Sequence, residues 1–256
     1  MIRKSIAITG AASGIGLATA RLFAERGWFV ACLDRNAALL DSLADEIGRE
    51  SALFISADVA DRTALLDAVA QIGAATGGTL DLLHNNAGID AKGPFASMEW
   101  STIERVIHIN LLGGMSLIHA AYPLLKATPG SLCFSTASGS AIFGTANLGA
   151  YSASKHGIKG LTEALSVEFA ADGVRAADVL PGIIDTGMLT PEVKAMLPQE
   201  GPWRVMPPSS IAEAVWEAYH GNKLHYYVPA ELAELDVMVT AQPEAMRDDR
   251  IANPPL

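Results

Sequence analysis

Tyr151-Ser152-Ala153-Ser154-Lys155 sets a phenol and an ammonium four residues apart, a spacing that puts both on one face of a helix. A nearby cation favours a phenolate, so Lys155 is expected to draw Tyr151 down from about 10 toward neutral pH, where general acid–base catalysis works best. Alone the pair is weak, because any helix can carry Tyr and Lys at this distance. Its company decides its meaning.

That company begins at Thr9-Gly10-Ala11-Ala12-Ser13-Gly14-Ile15-Gly16, between an apolar run and a segment of helical period. Gly10 suits a tight turn, Gly14 a close approach of backbone to a pyrophosphate, and Gly16 the seating of a helix against a strand. Ser13, Ile15 and their neighbours then offer unpaired N–H groups at the positive end of a helix dipole, where a phosphate can rest. Asp34 stands 18 residues beyond Gly16, close to the spacing at which a carboxylate binds a ribose 2′-hydroxyl and repels a 2′-phosphate. NAD is therefore favoured over NADP. Arg35 argues the other way, since a guanidinium can pair with a phosphate, and Asp34 would also serve as a simple helix cap before Asn36.

The elements that position these groups are set by periodicity. Short β-rich runs at Ser5–Thr9, Phe29–Leu33, Ala52–Ser56, Leu80–Asn85, Ser131–Ser135 and Arg175–Leu180 alternate with helical segments, which predicts an α/β fold with a doubly wound parallel sheet of about seven strands. Helices are expected from the glycine turn to a cap at Gly27, and over 36–47, 62–76, Thr102–Leu125, Ala150–Ala171 and Ile211–His220. Leu224–Val228 reads as a last strand and the tail to Leu256 as irregular. No linker or repeat divides the 256 residues, so one Rossmann-type domain over 1–256 is expected.

Eighteen Lys and Arg against 28 Asp and Glu give a net charge of −10, which argues against nucleic acid or an anionic membrane as main partner. Half the residues are apolar and mean hydropathy is +0.26, the balance of a well-filled core with apolar surface to spare. The opening apolar run is too short for a signal segment and no later run reaches spanning length. Cys32 and Cys133 lie far apart in apolar runs and read as buried thiols, so a cytoplasmic, reducing setting is expected. The six histidines show no metal-ligand spacing, and no metal is predicted.

Thr9 to Gly16, Asn85-Asn86-Ala87-Gly88, Asn110, Ser138, the Tyr151/Lys155 pair and Pro181-Gly182-Ile183-Ile184-Asp185-Thr186 together resemble the short-chain dehydrogenase/reductase family, over roughly residues 3 to 190. The resemblance implies a role for each. Tyr151 would exchange a proton with the substrate oxygen, Ser138 would hold that oxygen, and Lys155 would also contact the nicotinamide ribose. Asn110 would kink its long helix and hold a water for proton relay. Asp58 and Val59 would meet adenine, while Asn86, Ala87 and Gly88 would line its ribose and steady the sheet. Pro181, Gly182, Ile184 and Thr186 would close over the nicotinamide.

The resemblance thus implies a dehydrogenase interconverting a secondary alcohol and a ketone with NAD. Residues 187–210, with Met188, Leu189, Met196, Leu197, Trp203 and Met206, read as a flap over the site. With Ile142, Phe143 and Leu148 they suggest an apolar pocket for a hydrophobic, cyclic or aromatic substrate. A sugar or polyol dehydrogenase, or a dinucleotide-sensing module without catalysis, are the alternatives. Leu224-His225-Tyr226-Tyr227-Val228-Pro229 departs from the Val-Asp-Gly-Gly segment of many relatives, leaving a homo-oligomer open between dimer and tetramer.

Overall fold

The computed structural model describes residues 3–253. Strands β1 (Ser5–Thr9), β2 (Phe29–Asp34), β3 (Ala52–Ser56), β4 (Leu82–Asn85), β5 (Leu132–Thr136), β6 (Arg175–Pro181) and β9 (His225–Val228) form one sheet in the order β3-β2-β1-β4-β5-β6-β9, every pair parallel. The expected doubly wound parallel sheet is thus present. Strand order reverses at β1, which pairs with both β2 and β4, and the crevice beyond the carboxyl ends there is where such sheets bind ligands.

Helices cover both faces, and alternation along the strands explains how. In β1, Ile6 and Ile8 enter one apolar cluster with Phe23, Phe134 and Val215, while Ala7 enters the other with Leu65, Leu83 and Leu117. The first cluster lies beneath α1 (Gly14–Glu25), α2 (Ala37–Ile47) and α8 (Pro208–His220); the second beneath α3 (Arg62–Thr76) and α5 (Gly114–Lys126). Each large side chain so buried contributes about 1.5–3 kcal/mol.

Several boundaries differ from expectation. The helix predicted over Thr102–Leu125 is α4 (Trp100–Ile107), a π turn at His108–Gly113, then α5. The backbone passes close to its neighbours here: a Cβ on Gly113 would stand 2.7 Å from the Val59 carbonyl oxygen, and one on Gly114 2.6 Å from the Asn85 amide. Strand β4 starts two residues late, because the Leu80 amide donates to the Thr128 hydroxyl at 2.8 Å instead of joining the sheet. Helix α6 (Gly149–Glu168) ends in a 3₁₀ turn, Phe169–Asp172.

The flap is more ordered than its prolines suggest. It carries α7 (Pro191–Met196), and β8 (Val205–Met206) pairs with β7 (Ile183–Ile184) at its base. The irregular tail expected from the sequence is corrected outright: α9 (Leu232–Ala241) and α10 (Pro243–Ala252) are helices, fixed because Leu232, Val239 and Met246 bury themselves in a third apolar cluster with Ile142 and Leu180. The last three residues of that tail lie outside the described residues. Among the described residues no helix is long and apolar enough to cross a membrane.

Candidate active site

One cavity of about 780 Å³ opens over the carboxyl ends of β1, β4, β5 and β6. Gly10, Ser13, Gly14 and Ile15 line one part of it, Asn86, Ala87 and Gly88 its floor, and Ser138, Tyr151 and Lys155 another wall. Pro181, Gly182, Ile184 and Thr186 complete it, with Met188, Leu189, Leu197 and Trp203 from the flap. Gly16, Asp34, Arg35, Asp58, Val59 and Asn110 stand outside these walls.

The glycine turn has the shape of an anion cradle. Gly14 takes φ +52, and a Cβ there would come within 3.1 Å of the Thr186 methyl. Gly16 presses on the turn itself, a Cβ at that position standing 2.1 Å from the Gly10 carbonyl oxygen. The Ser13 side chain caps nothing, so the first N–H groups of α1 are left for a ligand. Thr9 ties the floor down: its hydroxyl accepts from the Asn86 and Ala87 amides at 3.0 and 3.1 Å, and its carbonyl from the Asn86 side chain at 2.9 Å.

Asp34 closes β2 beside the turn. Its carboxylate accepts from the Ala12 amide at 3.1 Å and from the Asn36 amide at 2.9 Å, and keeps lone pairs for hydroxyl donors. Asn36, not Asp34, caps α2, accepting from Leu39. Asp58 accepts from the Ala60 amide, and Val59 lines a separate hollow beside the π turn.

The Ser138/Tyr151/Lys155 wall is built on α6 and the end of β5. Lys155 is buried and donates to the Thr136 carbonyl at 2.7 Å, with its ammonium 5.7 Å from the centre of the Tyr151 ring. Burial pulls Lys155 down to about 8. Tyr151 is shifted upward, chiefly by burial; the Ser138 hydroxyl favours its phenolate, and Asp90 across the cavity disfavours it. The expected depression of the phenol by Lys155 is not found: the net shift is upward, and the ammonium, 5.7 Å from the ring centre, is bonded to the Thr136 carbonyl.

Sequence reasoning missed Thr136. Its hydroxyl donates to Asn86 at 3.1 Å, so His84, 2.9 Å away on the same oxygen, must donate through Nε2. His84 is wholly buried with an unpartnered Nδ1 and is pushed down to about 3, first by burial and then by Lys155. It stays neutral. A His in the apolar run of β4 and a Thr closing the run of β5 are the only signal a sequence offers for this.

Asn110 sits in the π turn, 3% exposed. Its side chain accepts from the Ile89 amide at 2.8 Å and donates to the Ile89 carbonyl at 2.9 Å and the Ser154 hydroxyl at 3.0 Å. Those bonds occupy it, so it positions rather than lines. Gly88 lies between it and the site, where a Cβ would be 3.3 Å from the Asn110 amide oxygen and 3.5 Å from the Lys155 ammonium. Of the apolar residues expected in the pocket, Leu148 lines it, whereas Ile142 and Phe143 belong to the third core cluster and Met196 faces outward, 62% exposed. Met206 packs on the first cluster.

The sequence matches the family model for short chain dehydrogenase over residues 4–196. The chain belongs to the short chain dehydrogenase family. Among characterised relatives, cis-4-hydroxycyclohexanecarboxylate dehydrogenase of Sinomonas cyclohexanicum is 36% identical over 81% of this dehydrogenase and 86% of its own chain. Cyclohexanol dehydrogenase of Acinetobacter sp. (strain SE19) is 36% identical over 83% and 86%, and (+)-borneol dehydrogenase 1 of Salvia officinalis 35% over 77% and 76%. In structure the dehydrogenase resembles 3-ketoacyl-(acyl-carrier-protein) reductase from Brucella melitensis complexed with NADH, with TM-score 0.80 and 27% identity over 89% of this chain and 98% of that one.

Proposed function

We propose that this protein is an NAD(H)-dependent oxidoreductase that interconverts a cyclic, largely hydrophobic secondary alcohol and its ketone. Residues 1–256 act as one dinucleotide-binding and catalytic unit under the 187–210 flap. The observation that carries this reading is that the Gly10–Ile15 cradle and the Ser138/Tyr151 wall line the same cavity, so a phosphate-bearing cofactor and a proton-exchanging phenol meet in one space. Relatives named for cyclohexanol, hydroxycyclohexanecarboxylate and borneol support the cyclic alcohol.

The residues fit a nicotinamide dinucleotide. The glycine turn leaves no Cβ in the pyrophosphate's way, and Asp34 beside it suits a ribose diol better than a 2′-phosphate. Beyond it, Arg35, Asp58 and Val59 flank the adenine end. When bound, the oxidised nicotinamide supplies the hydride acceptor and a positive charge near the phenol. The Ser138 hydroxyl holds the substrate oxygen, and the Tyr151 oxygen takes its proton during oxidation and returns it during reduction. Lys155, fixed on Thr136, presents its remaining N–H groups to the ribose, and Asn110 holds α4, α6 and the Ile89 segment in register. A cytoplasmic setting suits the two buried free thiols, and exposed Trp100, Leu112, Met115 and Val167 supply apolar surface for a homo-oligomer.

The test is a fluorescence titration with NADH and NADPH, then turnover on cyclic, acyclic and polyol alcohols. Tighter NADH binding with turnover on cyclic alcohols is expected. Cofactor binding with no turnover on any alcohol would overturn the reading in favour of a sensing module.

A further inference from the structure

The tail predicted to be irregular enters the active-site cavity. Helix α10 is seated by Met246, 7% exposed, and Arg250 comes one turn later on the same face, where it lines the cavity that holds Ser138 and Tyr151. Its guanidinium stands over the Trp203 ring, 5.7 Å from the centre. That indole presses on Gly139, where a Cβ would lie 3.1 Å from the ring. Arg250 is therefore separated from Ser138, the residue that holds the reacting oxygen, by little more than one indole. This places the cation at the Ser138 end of the cavity.

Four charged side chains line the cavity: Asp90, Lys92, Lys155 and Arg250. Asp90 and Lys92 face each other at 3.9 Å, and Lys155 is engaged by Thr136. Among the described residues no carboxylate comes within ion-pair distance of Arg250, although the chain is rich in acids and Asp248 close by pairs with Arg247 instead. A guanidinium 5.7 Å from the centre of an indole ring is attracted to its face, and its fork of donors matches the two oxygens of a carboxylate. Half-buried, such a pair is screened less than a surface one.

We propose that the substrate is a hydroxy acid, a cyclic secondary alcohol with a carboxylate at the far end of its ring, and that Arg250 is the residue that receives the carboxylate. This rests on the dehydrogenase reading above. The ring lies against Trp203, Met188 and Leu189, the hydroxyl meets Ser138 and Tyr151, and the carboxylate is anchored opposite. The anchor fixes which end of the ring presents its carbinol carbon, which is a specificity role.

The test uses 4-hydroxycyclohexanecarboxylate, its methyl ester and cyclohexanol with the full-length protein. Wild type is expected to show kcat/KM at least about tenfold higher for the acid than for the ester. Arg250→Gln collapses that ratio toward one, mainly through KM, and Arg250→Lys keeps part of it. Arg247→Gln, on the outer side of the same helix, keeps the full ratio. In parallel, calorimetry tracks cyclohexanecarboxylate binding to the NADH complex, which is expected in wild type and lost in Arg250→Gln. Equal turnover of acid and ester, or a ratio untouched by Arg250→Gln, overturns the carboxylate proposal and leaves the dehydrogenase standing. No turnover on any of the three sinks the dehydrogenase reading, and the calorimetry still decides the anchor: absence of anion binding overturns it.

Discussion

Ser138 and Asp90 act on Tyr151 in opposite directions, the hydroxyl favouring the phenolate and the carboxylate opposing it. Because oxidation needs the phenolate, its rate rises with pH through the Tyr151 ionisation. Asp90→Asn is expected to move that limb of the kcat/KM profile to lower pH, and Ser138→Ala to move it higher while cutting kcat about 100-fold. Profiles that stay superimposed would show that neither group touches the phenol. Tyr151→Phe should abolish turnover and leave the NADH dissociation constant within about twofold, by fluorescence.

Lys155 carries a cost in stability that its position demands. Burial lowers it to about 8 from 10.5, so between those values the unfolded chain binds more protons than the folded one, and stability rises with pH across that window. Below about pH 8 the cost is present in full. Lys155→Met is therefore expected to be inactive yet at least as stable at pH 7, by about 1 kcal/mol or 2–4 °C in Tm, with the gain fading between pH 8 and 10. A lower Tm at pH 7 would show that the Thr136 bond outweighs the desolvation.

The role proposed for Asp34 is to select the cofactor. Wild type should bind NADH at least about tenfold more tightly than NADPH, one such step being about 1.4 kcal/mol, and Asp34→Ser should close most of the gap. Tighter NADPH binding by the wild type would transfer the selecting role to Arg35.

Asn110→Ala removes three hydrogen bonds in a buried place. With about 1 kcal/mol for each, a Tm loss of about 5–10 °C is expected by circular dichroism, with kcat falling because Ser154 and Ile89 lose their tie. A shift below about 2 °C would mean that the π turn is held without it.

The strands, the glycine turn and the Ser138/Tyr151/Lys155 set are legible in the sequence because each is local: period 2 in β1, a turn with three glycines, a Tyr and a Lys one helical turn apart. What escapes depends on contacts distant in sequence. Thr136 and His84 meet only when β4 and β5 pair, and nothing near Lys155 in the chain reveals the Thr136 carbonyl that holds it. The π turn lies where Gly113 and Gly114 pass close to Val59 and Asn85, residues distant in the chain. Helix α10 has a readable start in Pro243, yet its few apolar residues give weak periodicity, and Arg250 carries no local signal of its place.

The π turn also works as a frame-shifter. It holds more residues per turn than an α-helix, so the apolar set Leu117, Ile118, Ala121 and Leu125 is phased one step out from the pattern begun in α4. Straightened into α-helix with all its residues kept, His108–Gly113 would rotate everything after it by about 100°, turning that set off the sheet. The chain thus keeps two faces of different phase on a single rod, one pinning Asn110 at the site and the other gripping the core.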